Sequence, residues 1–212
     1  MSVATATSLT SLKEKTVLVT GGAGSIGSNL VSRLLGYTEV KRVIAFDVDE
    51  YGLVSLQPAC APSRFAVAIG DVRDKDRLKQ VLQGVDVVVH MAALKRVETA
   101  EYNVVEAIKV NVMGTVNLLE ACKDAGVTQF LLISSDKAVP CHDLGNYGAT
   151  KLLQERITLS TTPPPACAVA RFGNVWGTRG DVFEIWGRQK KQSNQFTITD
   201  QRMRRFYWSM GD

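Results

Sequence analysis

TGGAGSIG, Thr20 to Gly27, lies between Thr16 to Val19, a short apolar β-branched run, and Ile26 to Leu35, where apolar residues recur at helical spacing. Strand, glycine turn and helix in that order can hold a dinucleotide. Gly21, Gly24 and Gly27 permit the tight turn, the close approach of a pyrophosphate and the packing of helix on strand. Ser25 and Ile26 open the helix, whose N-terminal N–H groups and partial positive charge suit phosphates. Val43 to Phe46 reads as a second strand ending at Asp47, about 20 residues beyond Gly27, where an acid accepts hydrogen bonds from adenosine ribose hydroxyls. A carboxylate there repels a 2′-phosphate, and Val48 and Asp49 supply no arginine to offset it. NAD is therefore favoured, with NADP the alternative.

Further strands are expected at Phe65 to Ile69, Val85 to Val89, Gln129 to Ser134 and Ala166 to Arg171, and helices at Lys75 to Leu82, Tyr102 to Ala125 and Tyr147 to Ser160. Such alternation predicts an α/β fold, a doubly wound parallel sheet of the Rossmann type. The division expected is a frayed leader over 1–15, a dinucleotide-binding domain over 16–172 and a partial substrate-binding region over 173–212.

With 212 residues, 45% of them hydrophobic and 22% charged, one sizeable core is within reach. The net charge of +4 comes from scattered Lys and Arg, and the cluster Arg188 to Lys191 reads as a solvated helix face, so nucleic acid is not an expected partner. Cys60, Cys122, Cys141 and Cys167 lack metal-ligand spacing, and with only His90 and His142 beside them no metal site is expected. They read as reduced thiols of the cytoplasm. The Ser/Thr-rich start is neither signal peptide nor anchor, and no stretch has the apolar length of a membrane span.

Ligands of such sheets bind at the carboxyl ends of the strands. There Asp71, followed by Val72, is placed to meet the adenine amino group; Ala92 and Ala93 let backbone approach the cofactor, and Lys95 completes that set. His90 reads as a core histidine in preference to a catalyst. The second decisive stretch is SSDKAVPCHDLGNYGATK, Ser134 to Lys151. Tyr147 and Lys151, four apart on a helix, share a face and reach one ligand. A tyrosine near its ordinary pKa of about 10 is a poor base at neutral pH, and an adjacent ammonium and the positive nicotinamide ring favour the phenolate. The phenolate can then take a proton from a sugar hydroxyl. Ser135 supplies the hydroxyl beside them.

These stretches, with HMAALKRVETAEYNVVEAIKVNVMGT from His90, ARFGNVWGTRGDV from Ala170 and ITDQRMRRF from Ile198, carry a resemblance. The sequence resembles the extended short-chain dehydrogenase/reductases and, within them, the inverting UDP-N-acetylglucosamine 4,6-dehydratases, CapD-like polysaccharide biosynthesis proteins. The resemblance implies an internal redox cycle: Tyr147 deprotonates the 4-hydroxyl as hydride passes to the dinucleotide, water is lost across C5 and C6, and hydride returns to C6. It assigns removal of the C5 proton to Lys137 and protonation of the departing 6-hydroxyl to Asp136. It also makes Lys151 a holder of the ribose hydroxyls, Asn174, Arg179 and Arg205 contacts to the nucleotide sugar, and the protein a homo-oligomer paired through its two long helices.

Three departures accompany it. The loop PCHDLGN before Tyr147 is longer than the family's usual spacing, the Asp47 region lacks the arginine of NADP-using members, and relatives continue past Asp212 into a larger substrate-binding lobe. A nucleotide-sugar 4-epimerase or reductase, which leaves Lys137 idle, and a non-catalytic dinucleotide-binding protein stay open as alternatives.

Overall fold

The computed structural model describes residues 12–36, 39–56, 62–142, 144–198 and 200–211. Six strands, β1 (Thr16–Thr20), β2 (Arg42–Asp47), β3 (Phe65–Ile69), β4 (Val87–His90), β5 (Gln129–Ser135) and β6 (Ala166–Phe172), form one sheet ordered β3-β2-β1-β4-β5-β6. Every pairing is parallel. Parallel neighbours need crossovers. These run through α1 (Ser25–Gly36), α2 (Glu50–Val54), α3 (Lys75–Val81), α4 (Val97–Tyr102), α5 (Val104–Ala107), α6 (Gly114–Ala125) and α7 (Asn146–Ser160). The doubly wound sheet expected from the sequence is the observed one.

Strand alternation divides the apolar residues between two covered faces. Leu18, Phe46, Val88, Phe130 and Leu132 face one cluster with Leu78 and Leu118; Val17, Val19, Val43, Ala45, Val87 and Val89 face another with Val31 and Leu34. After Phe172 the chain leaves the sheet. β7 (Asn174–Val175) pairs in parallel with β8 (Tyr207–Trp208), and α8 (Val182–Ser193) lies between them in sequence.

Two elements depart from expectation. β4 starts at Val87 rather than Val85, because Val85 and Asp86 form its entry turn: Asp86 N–H donates to the Thr16 carbonyl (3.0 Å), and its carboxylate accepts from Thr16 N–H (2.8 Å). The single helix expected over Tyr102 to Ala125 is interrupted. Asn103, at φ −125° and ψ 51°, sends both its N–H and its side-chain amide to the Thr99 carbonyl, which ends α4. Ile108–Met113 then forms a π-helical turn before α6 resumes and stops, as expected, at left-handed Gly126.

Of the expected leader, residues 1–11 lie outside the described residues, as does Cys60. Leu12 packs against the second core cluster and the Lys15 ammonium is 3.3 Å from Asp86. No helix among the described residues is long and apolar enough to cross a membrane.

Leu118 is fully buried where α6 meets the sheet. Leu118→Ala is expected to cost about 2–5 kcal/mol of unfolding free energy, read as a lower urea midpoint at unchanged slope.

Candidate active site

Strand order reverses between β1 and β4, so the crevice opens at the carboxyl ends of these two strands. A cleft of about 640 Å³ runs there from the end of β3 to Tyr147 and Lys151. Its floor is the glycine turn. Gly21 sits at φ +71°, where a Cβ would stand 2.9 Å from Ala92 N, and a Cβ on Gly27 would stand 2.1 Å from the Gly21 carbonyl oxygen. Only glycine lets β1 turn into α1 this close to β4. The cradle is thus backbone-lined, with the first N–H groups of α1 at Ser25, Ile26 and Gly27 directed at it, which fits a dinucleotide's pyrophosphate.

At one end the Asp47 carboxylate accepts from Ala23 N–H (3.0 Å) and Asp49 N–H (3.1 Å). Each carboxylate oxygen keeps a second lone pair, so ribose hydroxyls can still be met. Asp71 accepts from the Arg73 guanidinium (2.9 Å), which holds its carboxyl below the usual range. Phe46, Gly70, Val72 and Arg73 complete this end.

A buried polar seam fixes the middle. His90 is 0% exposed, with Nδ1 2.7 Å from Thr20 Oγ1 and Nε2 3.1 Å from Thr115 Oγ1. Thr20 Oγ1 already accepts from Met91 and Ala92 N–H, so it donates to Nδ1, and the proton rests on Nε2. Burial, with the charge of Lys151, pushes the imidazole pKa down to about 3. His90 is a neutral core histidine holding the β4 turn against β1. Beside it Asn111, in the π turn, accepts from Leu94 N–H (2.8 Å), donates to the Leu94 carbonyl (3.3 Å) and donates to Thr150 (3.0 Å). One amide therefore ties the cofactor-facing segment Ala92–Leu94 to α7.

At the far end, Lys151 is 3% exposed and its ammonium donates to the Ile133 carbonyl (2.8 Å). Burial lowers its pKa to about 8, and Glu155 opposes that shift. Burial raises the Tyr147 phenol, and a hydrogen bond with Ser135 works against it. Burial alone therefore opposes the phenolate, and Ser135 favours it. Ser135 also donates to Asp136 (3.1 Å) and accepts from Lys137 N–H (3.2 Å). The Lys137 ammonium is 3.3 Å from Asp136 and 3.2 Å from Asn174 Oδ1. Gly148 is what allows α7 so near, since a Cβ there would lie 2.4 Å from the Lys137 carbonyl oxygen.

The chain matches the family described as polysaccharide biosynthesis protein over residues 17–212. It belongs to the polysaccharide biosynthesis protein family. An uncharacterized membrane protein of Methanocaldococcus jannaschii is 44% identical over 94% of this chain and 61% of its own length. An inverting UDP-N-acetylglucosamine 4,6-dehydratase of Campylobacter jejuni is 37% identical over 93% of the chain and 60% of its own length. A UDP-glucose 4-epimerase of Rickettsia typhi is 35% identical over 94% and 60%. A solved dTDP-glucose 4,6-dehydratase of Streptomyces venezuelae, with NAD bound, superposes with a TM-score of 0.83 at 26% identity, covering 92% of this chain and 68% of that one. The chain thus spans about 60% of the length of these curated relatives.

Within this member of the family, the cleft brings together the glycine turn, Asp47, Asp71, Val72, Ala92, Ala93, Lys95, Ser135, Tyr147 and Lys151. Asp136, Lys137 and Asn174 cluster beside Ser135. Arg179 lies at the other end, against the glycine turn, and Arg205 stands exposed outside the cleft with its guanidinium on the Arg204 carbonyl. Sequence reasoning missed Glu155 and Arg171. The buried Glu155 carboxylate accepts from the Arg171 guanidinium (2.8 and 2.6 Å) and from Ser134 (2.6 Å), joining α7 to β5 and β6 behind Lys151. The signal was present: Glu155 follows Lys151 at helical spacing on the face of Tyr147.

Glu155→Gln should cost about 1–2 kcal/mol, the scale of charge-assisted hydrogen bonds to a half-exposed arginine, and should drop the Lys151 pKa below its present value, read from the pH dependence of lysine labelling. Acid should also weaken the fold. Between the His90 pKa of about 3 and its ordinary 6.5, the unfolded chain binds a proton that the native imidazole refuses, so stability falls as pH drops through that window. Lowered Asp71, Asp86 and Glu155 carboxyls act in the same direction at lower pH, as they protonate. Urea midpoints at pH 7 and pH 5 should differ, and by less in His90→Gln than in the parent.

Proposed function

We propose that this protein is a nucleotide-sugar 4,6-dehydratase of the 5-inverting kind, acting on UDP-N-acetylglucosamine or a related sugar with NAD as its dinucleotide. The observation that carries the reading is the Asp136–Lys137 pair at the end of β5, linked through Ser135 to Tyr147. A reaction confined to C4 needs one proton acceptor and has no use for a second carboxylate and ammonium at this place. Loss of water across C5 and C6 needs both an acid and a base.

When bound, the dinucleotide supplies a hydride acceptor for C4 and the hydride returned to C6. The chain's residues handle the protons. Tyr147 takes the 4-hydroxyl proton, and Lys151, fixed on the Ile133 carbonyl, supplies the positive field and a donor for the nicotinamide ribose. The resulting 4-ketone acidifies C5–H, which Lys137 removes while Asp136 protonates the leaving 6-hydroxyl as water departs. The proton that Tyr147 took from the 4-hydroxyl supplies the one C5 regains on the opposite face, and Lys137 passes its proton to Asp136, so a 4-keto-6-deoxy sugar leaves with all three side chains reset. Asn174, whose amide oxygen already accepts from Lys137, orients that ammonium and can meet the substrate's pyrimidine. The NAD preference is supported by Asp47 and by the NAD-bound state of the Streptomyces venezuelae relative.

A second reading, a nucleotide-sugar 4-epimerase, is favoured by the comparable identity to the Rickettsia typhi relative. It uses Tyr147 and Lys151 alone. A homo-oligomer is supported by the exposed apolar side chains of α4, α5 and α7, among them Tyr102, Val105, Leu153 and Leu159.

Mass spectrometry of UDP-N-acetylglucosamine incubated with protein and NAD is expected to show loss of one water, with solvent deuterium at C5. Lys137→Ala should retain NAD and UDP binding and lose at least about a hundredfold in keto-sugar formation. An epimerised sugar with no mass change, or full dehydratase activity in Lys137→Ala, would overturn the assignment.

A further inference from the structure

We propose that Glu101 is a positioning residue for Tyr147: its carboxylate, reaching over from α4, supplies the cap that α7 lacks and fixes where the phenol stands against the sugar. This builds on the assignment of Tyr147 to the 4-hydroxyl and adds to it a group outside the cleft.

α7 carries both Tyr147 and Lys151, yet it begins without a cap of its own. α2, α3 and α8 each start on an aspartate, Asp49, Asp74 and Asp181, whose side chain accepts from an N–H of its own first turn. Gly145 precedes α7 and offers no side chain, and no acid stands in the first turn. The first N–H groups of a helix are left over by its internal ladder and need an outside acceptor. Glu101, 45 positions earlier, provides it: one carboxylate oxygen accepts from Asn146 N–H (2.7 Å) and the other from the Asn146 side-chain amide (2.8 Å). A carboxylate there also suits the positive end of the helix dipole. Gly145 makes the approach possible, since a Cβ on it would lie 2.6 Å from Glu101 Oε1.

Asn146 is the neighbour of Tyr147 in the chain, and before it runs the long loop from Val139 that separates Tyr147 from Asp136 and Lys137. With Asn146 held by Glu101, the start of α7 is set by α4 and not by the length of that loop. Glu101 in turn stands on a short helix anchored by the fully buried Ala100, just past the cofactor-facing segment Ala92–Leu94. One turn further along α7, Thr150 accepts from Asn111, whose amide is bonded to Leu94. The segment after β4 therefore grips the first turn of α7 twice, through Asn111 on its buried side and through Glu101 on its exposed side. A single tie leaves the turn free to tilt. Two fix the tilt, and with it the direction of the Tyr147 side chain. The cap adds to stability as any helix cap does, but the tie to α4 bears on catalysis, where a displacement of about 1 Å can cost about a hundredfold.

Formation of the 4-keto sugar, urea unfolding and titration of the Tyr147 phenol, read as the phenolate absorbance lost in Tyr147→Phe, test this on the wild type, Glu101→Ala, Glu101→Gln and the double variant Glu101→Ala, Gly145→Ser. Glu101→Ala should lower kcat at least about tenfold with KM unchanged within about twofold, and the phenol, opened to water, should titrate closer to its ordinary value of about 10. Glu101→Gln, which keeps an acceptor for Asn146 N–H and turns its own amide N–H groups toward the Asn146 amide, should fall between. Gly145, at φ −70° and ψ 167°, has a backbone that serine adopts, so the double variant gives α7 an internal cap without the tie. Its urea midpoint should return to that of the wild type while kcat and the phenol stay as in Glu101→Ala. Unchanged kcat in Glu101→Ala, or kcat restored together with the midpoint in the double variant, overturns the proposal and leaves Glu101 a helix cap. A wild type that forms no keto sugar overturns the dehydratase reading instead, and the phenol titration then decides the clamp by itself: an unshifted phenol in Glu101→Ala, or one restored in the double variant, sinks it.

Discussion

The architecture hangs on a steric constraint at the first turn. β1 must pass into α1 within a few residues while lying beside both β2 and β4, and at Gly21, Gly22 and Gly27 a single added carbon would fall within about 3 Å of neighbouring atoms. That closeness keeps the chain's own side chains out of the crevice between β1 and β4. It also brings Thr20 within reach of His90, so the geometry that admits a pyrophosphate also positions the first hydrogen bond of the seam beneath it.

The seam is costly in one sense and decisive in another. His90, Thr115, Asn111, Gln154 and Thr150 are buried polar groups in a layer that Leu or Val could fill, and each must find partners or lose the free energy of desolvation. Most find them in one another: Gln154 donates to Thr115, Thr115 donates to the Asn111 carbonyl, and Asn111 donates to Thr150, while the buried Gln154 Oε1 has no partner among the described residues. A polar layer of this kind has fewer satisfactory arrangements than an apolar one. It sets the register of α6 and α7 against β4, and so fixes where Tyr147 and Lys151 meet the cleft. Lys151 extends the same logic to a charge, since burial weakens its hold on a proton while Glu155, itself anchored by Arg171 and Ser134, strengthens it.

The sheet was legible because its strands are short apolar β-branched runs and its helices repeat at their own period; both patterns come from the burial of local side chains. Glycines 21, 24 and 27 were legible because close approach leaves no choice of residue. What could not be read was set by partners distant in sequence. Asn103 interrupts a helix through the Thr99 carbonyl, and the π turn at Ile108–Met113 accompanies an Asn111 side chain bonded to Leu94, a contact that no helical periodicity encodes. Arg171 ends a strand in the sequence, and only the packing of α7 on β6 makes it the counter-ion of Glu155.

Arg179 shows the same limit from the side of function. Its sequence setting, a glycine-flanked turn beyond the last strand of the sheet, does not encode where the side chain goes, and the sequence near Asp47 contains no arginine. Folding brings a cation there all the same: the guanidinium arrives beside Asp49 from 130 positions further along the chain. A cation there changes the electrostatics of the adenosine end, where Asp47 and Asp49 alone would repel any phosphate. The charge at the end of β2 is therefore set jointly by its own carboxylates and by a turn capped on α8.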